Sequence, residues 1–262
     1  VVYGKNEFMK VIETIGNARS GHHAMLNWII SNLCGQQVLN WGSYNMTHLA
    51  NSTLAIFDEV NYKPELNLKW LKDQEDHKTI ILNYVDARPN YTVLHGDDKI
   101  FKGPYAYNKS LGFTSEHEGR ILMIRDFYTN LLSRLKGNKV ELQKIVDTIG
   151  STTDRTFVFD VSPNFIDIWK SQAKACIKNQ ISYIKYEDWM ANKEIRQKFL
   201  WDNFQVKEQF NNANIKGTDS SYKSGEKRND TSLIPDDLRQ IIKEDKELHE
   251  LVEALGYENI EI

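Results

Sequence analysis

Two cysteines among 262 residues, Cys34 and Cys176, are too few and too far apart for a disulfide framework or a metal-site spacing. Each lies in an apolar, helix-like stretch, which fits buried free thiols. Proline is scarce too, at five, and no low-complexity linker or internal repeat divides the chain. A single domain over residues 1–262 is expected, close to the upper size for one core. No run of about 18 apolar residues occurs, so no membrane-spanning helix is expected. The N-terminus has no basic segment followed by an apolar one, so no secretory signal is visible. The first residue is Val, which leaves an upstream segment open. The expected location is cytoplasmic, and the sequons at Asn45, Asn51, Asn90, Asn108 and Asn229 are read as chance. Charge of one sign is also missing. Lys and Arg number 33 against 36 Asp and Glu, a net −3 that speaks against a protein coating nucleic acid. A local basic pocket stays compatible with that balance.

What the chain does have is alternation between short β-branched runs and helical patterns. Val11–Gly16 reads as a buried strand and His22–Cys34 as the helix after it. Gln36–Trp41 and Thr53–Phe57 are strand candidates, Glu65–Glu75 a helix, and Thr79–Val85 and Tyr91–His95 further strands. Asp97–Glu118 reads as loop. Arg120–Ile124 is the clearest buried strand, followed by helices over Phe127–Lys136 and Lys139–Ile149. Ser162–Ile177 is a helix with Phe165, Ile166, Trp169, Ala173 and Ile177 on one stripe. Ile181–Tyr186 is a strand, Glu187–Trp201 a helix, Gln209–Ser232 a polar loop, and a last helix starts near Pro235. This order implies an α/β fold of three layers, with a mostly parallel central sheet covered on both faces.

The segment Ile15-Gly16-Asn17-Ala18-Arg19-Ser20-Gly21-His22-His23 leaves a strand and enters a helix. A helix N-terminus presents unpaired N–H donors and partial positive charge, which suits a phosphate. Gly16 and Gly21 let the backbone curl, Arg19 adds a fork of charged donors, and Ser20 adds a hydroxyl. The glycine spacing is that of a P-loop, and the architecture is accordingly P-loop-NTPase-like. A nucleotide-triphosphatase loop, however, continues with Lys and Ser or Thr, where His22 and His23 stand here. An ordinary ATPase or GTPase is not expected. A plain strand-to-helix turn with a chance Arg-Ser-Gly is the competing reading. His22 and His23 as metal ligands fit poorly, because adjacent helical residues point about 100° apart and no third ligand is evident; no metal is expected.

With this loop in view, the chain resembles the sulfotransferase superfamily, whose donor is 3′-phosphoadenosine-5′-phosphosulfate (PAPS). Ala18-Arg19-Ser20-Gly21-His22-His23 stands in the frame of the family's loop for the 5′-phosphosulfate, with Arg19 in place of a lysine. Ile124-Arg125-Asp126 followed by Ser133 reproduces the spacing of its arginine and serine for the 3′-phosphate. By residue pattern alone, Arg125 can instead pair with Asp126 or another carboxylate, and Ser133 can face solvent beside Asn130. Tyr183-Ile184-Lys185-Tyr186-Glu187-Asp188 is similar to the family's strand ending in Tyr-Glu-Asp, which implies that Tyr186 lies against the adenine; a plain strand-end aromatic is the alternative. Tyr222-Lys223-Ser224-Gly225-Glu226-Lys227 resembles the basic loop that closes over the 3′-phosphate, which assigns Lys223, Ser224 and Gly225 to the nucleotide; a solvated charged loop competes. The stretch from Trp41 to Gly119 is the weak part of the resemblance and matches no characterised member of the family.

The resemblance implies transfer of a sulfuryl group from PAPS to a hydroxyl or amine on a small-molecule or carbohydrate acceptor. Arg19 and the loop amides would stabilise the developing charge. A base must take the acceptor's proton, and the histidine stretch of the animal cytosolic members is missing. His95 ends an apolar strand, and a histidine side chain is a suitable general base near neutral pH; Glu59 resembles the glutamate base of carbohydrate sulfotransferases. A non-catalytic nucleotide binder on the same scaffold and a P-loop-like kinase remain the alternative functions.

Overall fold

Lys10–Gly16, rich in Ile, Val and Thr, forms β1, and every other large element is arranged around it. The computed structural model describes residues 10–17, 20–35, 47–48, 54–57, 79–86, 92–94, 100–102, 116–147, 161–211 and 230–262. Their strands are β1, β2 (Thr47–His48), β3 (Leu54–Phe57), β4 (Thr79–Val85), β5 (Thr92–Leu94), β6 (Ile100–Lys102), β7 (Glu116–Ile124) and β8 (Ser182–Lys185). Six of them make one sheet in the order β2-β3-β4-β1-β7-β8, all parallel except the β2–β3 pair, and β5 and β6 form a separate antiparallel pair.

Alternation along the parallel strands sends two sets of apolar side chains to opposite faces. Ile12, Ile81, Ile121, Met123 and Ile184 pack with Met25, Leu26, Trp28 and Ile29 of α1 (His22–Cys34). The same cluster takes Trp189 of α4 (Tyr186–Ala191) and Phe199 and Leu200 of α5 (Lys193–Phe204). On the other face Ile15, Tyr84, Leu122 and Ile124 pack under α2 (Phe127–Asp147) and α3 (Pro163–Ile177). Leu238 and Ile242 of α6 (Asp236–Glu244) and Leu248 and Val252 of α7 (Lys246–Ala254) complete that layer. Each fully buried Leu, Ile or Met contributes roughly 1.5–3 kcal/mol. The fold is thus the expected three-layer α/β arrangement with a mostly parallel central sheet.

Several boundaries differ from the sequence reading. The loop assigned to Asp97–Glu118 contains β6, and β7 begins at Glu116 rather than Arg120. Pairing with the full length of β1, through a register shift at Val11/Ile12, extends a strand whose polar start hides its β character. Phe127–Lys136 and Lys139–Ile149 are one helix, ending at Asp147; Gly137 costs helix stability without ending it. Glu187–Trp201 is instead α4 and α5, broken at Asn192, whose side-chain oxygen accepts from the Ile195 N–H at 3.1 Å. The last helix is two, broken at Asp245, which caps α7 by accepting from the Leu248 N–H at 2.9 Å. Ile177, assigned to the buried stripe of α3, is 39% exposed, and Cys34 is half-buried while Cys176 is buried. The strand at Gln36–Trp41 and the helix at Glu65–Glu75 lie outside the described residues. Among the described residues no helix is long and apolar enough to cross a membrane.

After α5 the chain runs back along α1. Asn32 takes the N–H groups of Gln209 and Phe210 at 2.6 and 3.0 Å and donates to the Phe210 carbonyl at 2.9 Å. Glu208 accepts from Arg196 Nε at 2.6 Å and from Trp28 Nε1 at 2.9 Å, with both charged side chains about 95% buried. A buried pair that loses one partner leaves an uncompensated charge. Glu208→Ala should therefore lower the unfolding free energy by roughly 3–5 kcal/mol in urea titration. Lys198→Ala, which breaks the exposed Lys198–Asp202 pair, should cost under about 1 kcal/mol. Equal losses would contradict the assignment of this strap to the core.

Candidate functional site

The parallel register aligns the carboxyl ends of four neighbouring strands, with Gly16 opposite Val85 and Met123, and Ile124 opposite Lys185. In open α/β sheets, ligands bind at this edge. Asn17, Ser20 and Gly21 stand between the end of β1 and the start of α1. The Asp86 N–H donates to the Gly16 carbonyl at 2.9 Å, and the Ser20 N–H to the Asn17 carbonyl at 3.0 Å. The Asn17 and Gln172 side-chain amides exchange hydrogen bonds of 2.9 and 3.0 Å, which ties the turn to α3.

Gly21 caps α1 at φ +81° and has no side chain to engage the first-turn N–H groups, and that turn contains no acidic residue. The Ser20 side chain is fully buried, and its Oγ has no hydrogen-bond partner among the described residues. An orphaned hydroxyl next to an uncapped helix start is a place where an anion lowers the energy. His22 is buried; His23 is exposed, and the two rings lie 3.9 Å apart. Gly16 faces His22 so closely that an added Cβ would lie 2.5 Å from the His22 Cβ. Among the described residues no three His, Cys, Asp or Glu are grouped to hold a metal.

Arg125 follows β7 at the same edge. Its carbonyl accepts from Trp169 Nε1 at 2.9 Å, and its guanidinium lies 4.5 Å under the centre of the Tyr186 ring. The side chain is 13% exposed, and burial lowers its pKa from the ordinary value against the opposing pull of Tyr186, Glu187 and Asp126. The nearby carboxylate is that of Glu187, 4.0 Å from Nε. Asp126 caps α2 instead, its Oδ1 accepting from the Thr129 N–H at 2.7 Å.

Ser133 does not face solvent. It is buried together with Asn130 and Arg134, so the first two turns of α2 are enclosed on all sides. Arg134 pairs with Asp86, the residue at φ 53° that ends β4, and its guanidinium lies 4.1 Å from the Phe165 ring centre. The Tyr186 ring packs directly on Gly21, where an added Cβ would lie 2.3 Å from ring carbon Cε2. One aromatic ring therefore touches both the turn after β1 and the arginine after β7.

The structure brings together Ser20, Gly21, His22, Arg125 and Tyr186. Arg19, Glu59, His95, Lys223, Ser224 and Gly225 lie outside the described residues. Three features went unread in the sequence: the Asp86–Arg134 pair, the Asn17–Gln172 pair and the contacts of Glu187. The first two join residues far apart in the chain and carry no local signal. Glu187 stands inside the Tyr-Glu-Asp motif without a role assigned to it.

No family model matches the chain, and no curated protein matches it in sequence. Among solved structures it is similar to a sulfotransferase domain from the curacin biosynthetic pathway, at 13% identity and a TM-score of 0.41, over 97% of this chain and 99% of that one. Superposition at that level leaves the reading of the site to its own residues.

The close packing of Tyr186 on Gly21 is testable by stability. Gly21→Ala should cost roughly 1–3 kcal/mol for a left-handed alanine, plus the clash with the ring. In a Tyr186→Ala background the same substitution should cost measurably less, because only the backbone cost remains. An identical cost in both backgrounds, by urea titration, would contradict the contact.

Proposed function

We propose that this chain is a sulfotransferase that holds PAPS across the carboxyl edge of its sheet. The observation that carries the reading is the meeting, through Tyr186, of the uncapped α1 turn with its orphaned Ser20 hydroxyl and the largely buried Arg125 guanidinium. Two cationic or donor-rich positions on neighbouring strand ends suit a nucleotide phosphorylated on both sides of its ribose.

In this reading the α1 amides, Ser20 and Arg19 take the 5′-phosphosulfate, and Arg125 with Ser133 takes the 3′-phosphate. His22 and His23 flank the loop, Tyr186 lies against the adenine, and Lys223, Ser224 and Gly225 close over the 3′ side. The fit rests on this chain's own groups. Gly21 places no side chain over the start of α1, that helix has no side-chain cap, and Ser20 carries a buried hydroxyl that nothing among the described residues engages. PAPS supplies the sulfuryl group; the protein supplies donors placed where negative charge grows on the leaving phosphate. His95 or Glu59 takes the proton of a hydroxyl or amine acceptor. A magnesium-dependent kinase fits less well, because Asp86, the carboxylate that ends the strand beside the loop, is committed to the buried Arg134.

Thermal unfolding with different nucleotides tests the proposal. At about 100 times its dissociation constant, 3′,5′-adenosine bisphosphate should stabilise the fold by roughly 2.7 kcal/mol without magnesium, a midpoint rise of roughly 5–10 °C. Arg125→Ala should weaken that binding by roughly 1.5–3 kcal/mol through loss of a charge-assisted contact. Labelled-sulfate transfer from PAPS into an acceptor library then distinguishes an enzyme from a non-catalytic binder. A large shift with magnesium-ATP and none with the bisphosphate would overturn the reading.

A further inference from the structure

The residues behind Arg125 form a chain of contacts that ends at the C-terminus. Glu187, the first residue of α4 after Tyr186, lies with its Oε1 4.0 Å from Arg125 Nε and accepts a 3.3 Å hydrogen bond from the Asp126 N–H. Its Oε2 accepts from the Tyr257 hydroxyl at 3.0 Å. Burial and the adjacent carboxylate push the Tyr257 pKa far above its ordinary value, so the hydroxyl keeps its proton and donates. The C-terminal turn that carries Tyr257 is itself anchored: Lys185 Nζ donates to the Leu255 carbonyl at 3.0 Å, and Asn259 lies 2.9 Å from His249 Nδ1.

We propose that Glu187, oriented by Tyr257, is a positioning residue that fixes the Arg125 guanidinium for a phosphate on the 3′ side of a nucleotide. The role follows from the geometry of a planar cation. Tyr186 covers one face of the guanidinium, Glu187 stands at its Nε edge, and the Trp169–carbonyl bond fixes its backbone. A guanidinium restrained in this way loses little rotational freedom when a phosphate engages its terminal nitrogens. Glu187 also accepts from the N–H of Asp126, the residue that caps α2, so the arginine and the start of the helix that carries Ser133 share one carboxylate. Tyr257 supplies the other half of the hold: without its hydroxyl, Oε2 loses a donor and the carboxylate gains freedom to leave the Nε edge. The C-terminal turn, remote in sequence from the anion-binding elements, thereby becomes part of the nucleotide site.

This inference rests on the reading of Arg125 as a 3′-phosphate ligand, and titration calorimetry with two probes distinguishes the two claims. The probes are 3′,5′-adenosine bisphosphate and 5′-AMP, which lacks the 3′-phosphate. Wild type should prefer the bisphosphate. Glu187→Ala should weaken the bisphosphate about tenfold and Tyr257→Phe about threefold, with 5′-AMP unchanged in both. In an Arg125→Ala background, Glu187→Ala should have no further effect, because the residue acts through the arginine. Glu187→Gln, which keeps an acceptor for the Asp126 N–H but removes the charge, should fall between wild type and the alanine variant. Tyr257→Phe removes one atom, and its urea midpoint confirms that the folded protein is being compared. Equal losses for both probes, or a Glu187→Ala loss that persists without Arg125, would reduce Glu187 to a general structural role and overturn the proposal. So would a wild-type preference for the bisphosphate that all three variants retain. A wild type that does not distinguish the probes would overturn the reading of Arg125 itself, and this proposal with it.

Discussion

β1 is pinned on each side by a polar pair at its own register position, in which Glu13, Thr14 and Asn83 are buried. Thr14 Oγ1 donates to Asn83 Oδ1 at 2.8 Å, and these two residues are opposite one another in the β1–β4 pairing. Glu13, almost fully buried, takes Arg120 Nε at 2.5 Å, and these are opposite one another in the β1–β7 pairing. The two pairs lie on opposite faces because consecutive strand residues point opposite ways. A slip of one residue in either pairing would leave a hydroxyl, an amide or a carboxylate buried without its partner. Each such loss weighs heavily against the 5–15 kcal/mol that stabilises a typical domain. Apolar alternation alone tolerates a slip of two; the polar pairs do not.

The register so fixed decides where the chemistry can sit. With β4, β1, β7 and β8 ending level, Gly16, Asp86, Arg125 and Tyr186 all leave the sheet at one edge. Parallel strands also send each connection back over a face, which places α1 on one side and α2 with α3 on the other. The turn after β1 is held from both layers: Gln172 of α3 grips Asn17, and Tyr186 before Trp189 packs on Gly21.

Enclosure has a second consequence at α2. Its opening turns bury Asn130, Ser133 and Arg134 beside Phe127, Leu131 and Leu132, so the helix cannot be read as one apolar and one wet face. Arg134 is kept there by Asp86 and by the ring of Phe165, and Arg125 by Tyr186 and Glu187. Both cations are low in solvent and matched by a carboxylate and an aromatic face. The difference between them is position. Arg134 is sealed at zero exposure, whereas Arg125 keeps a small opening at the strand edge.

The sequence by itself determined the layer order, the strand–turn–helix at Gly16–Cys34 and the placement of Arg125 at a strand end, because these depend on periodicities of two and 3.6 and on glycine positions that are local. It read Tyr186 as the last strand residue, one position past the observed end of β8, where Tyr186 begins α4. It did not determine which polar residues of α2 are buried, since a Ser or Asn reads the same facing water or facing a buried partner. Nor did it show the strand character of Glu116–Gly119, which exists because β1 offers a pairing edge of that length. The contact of Tyr186 with Gly21, separated by 165 positions, and that of Glu187 with Tyr257, separated by 70, were decided only by the tertiary structure. The physical reason is the same in each case: a hydrogen bond or a van der Waals contact acts over a few ångströms of space, and only the folded sheet brings those positions within that range.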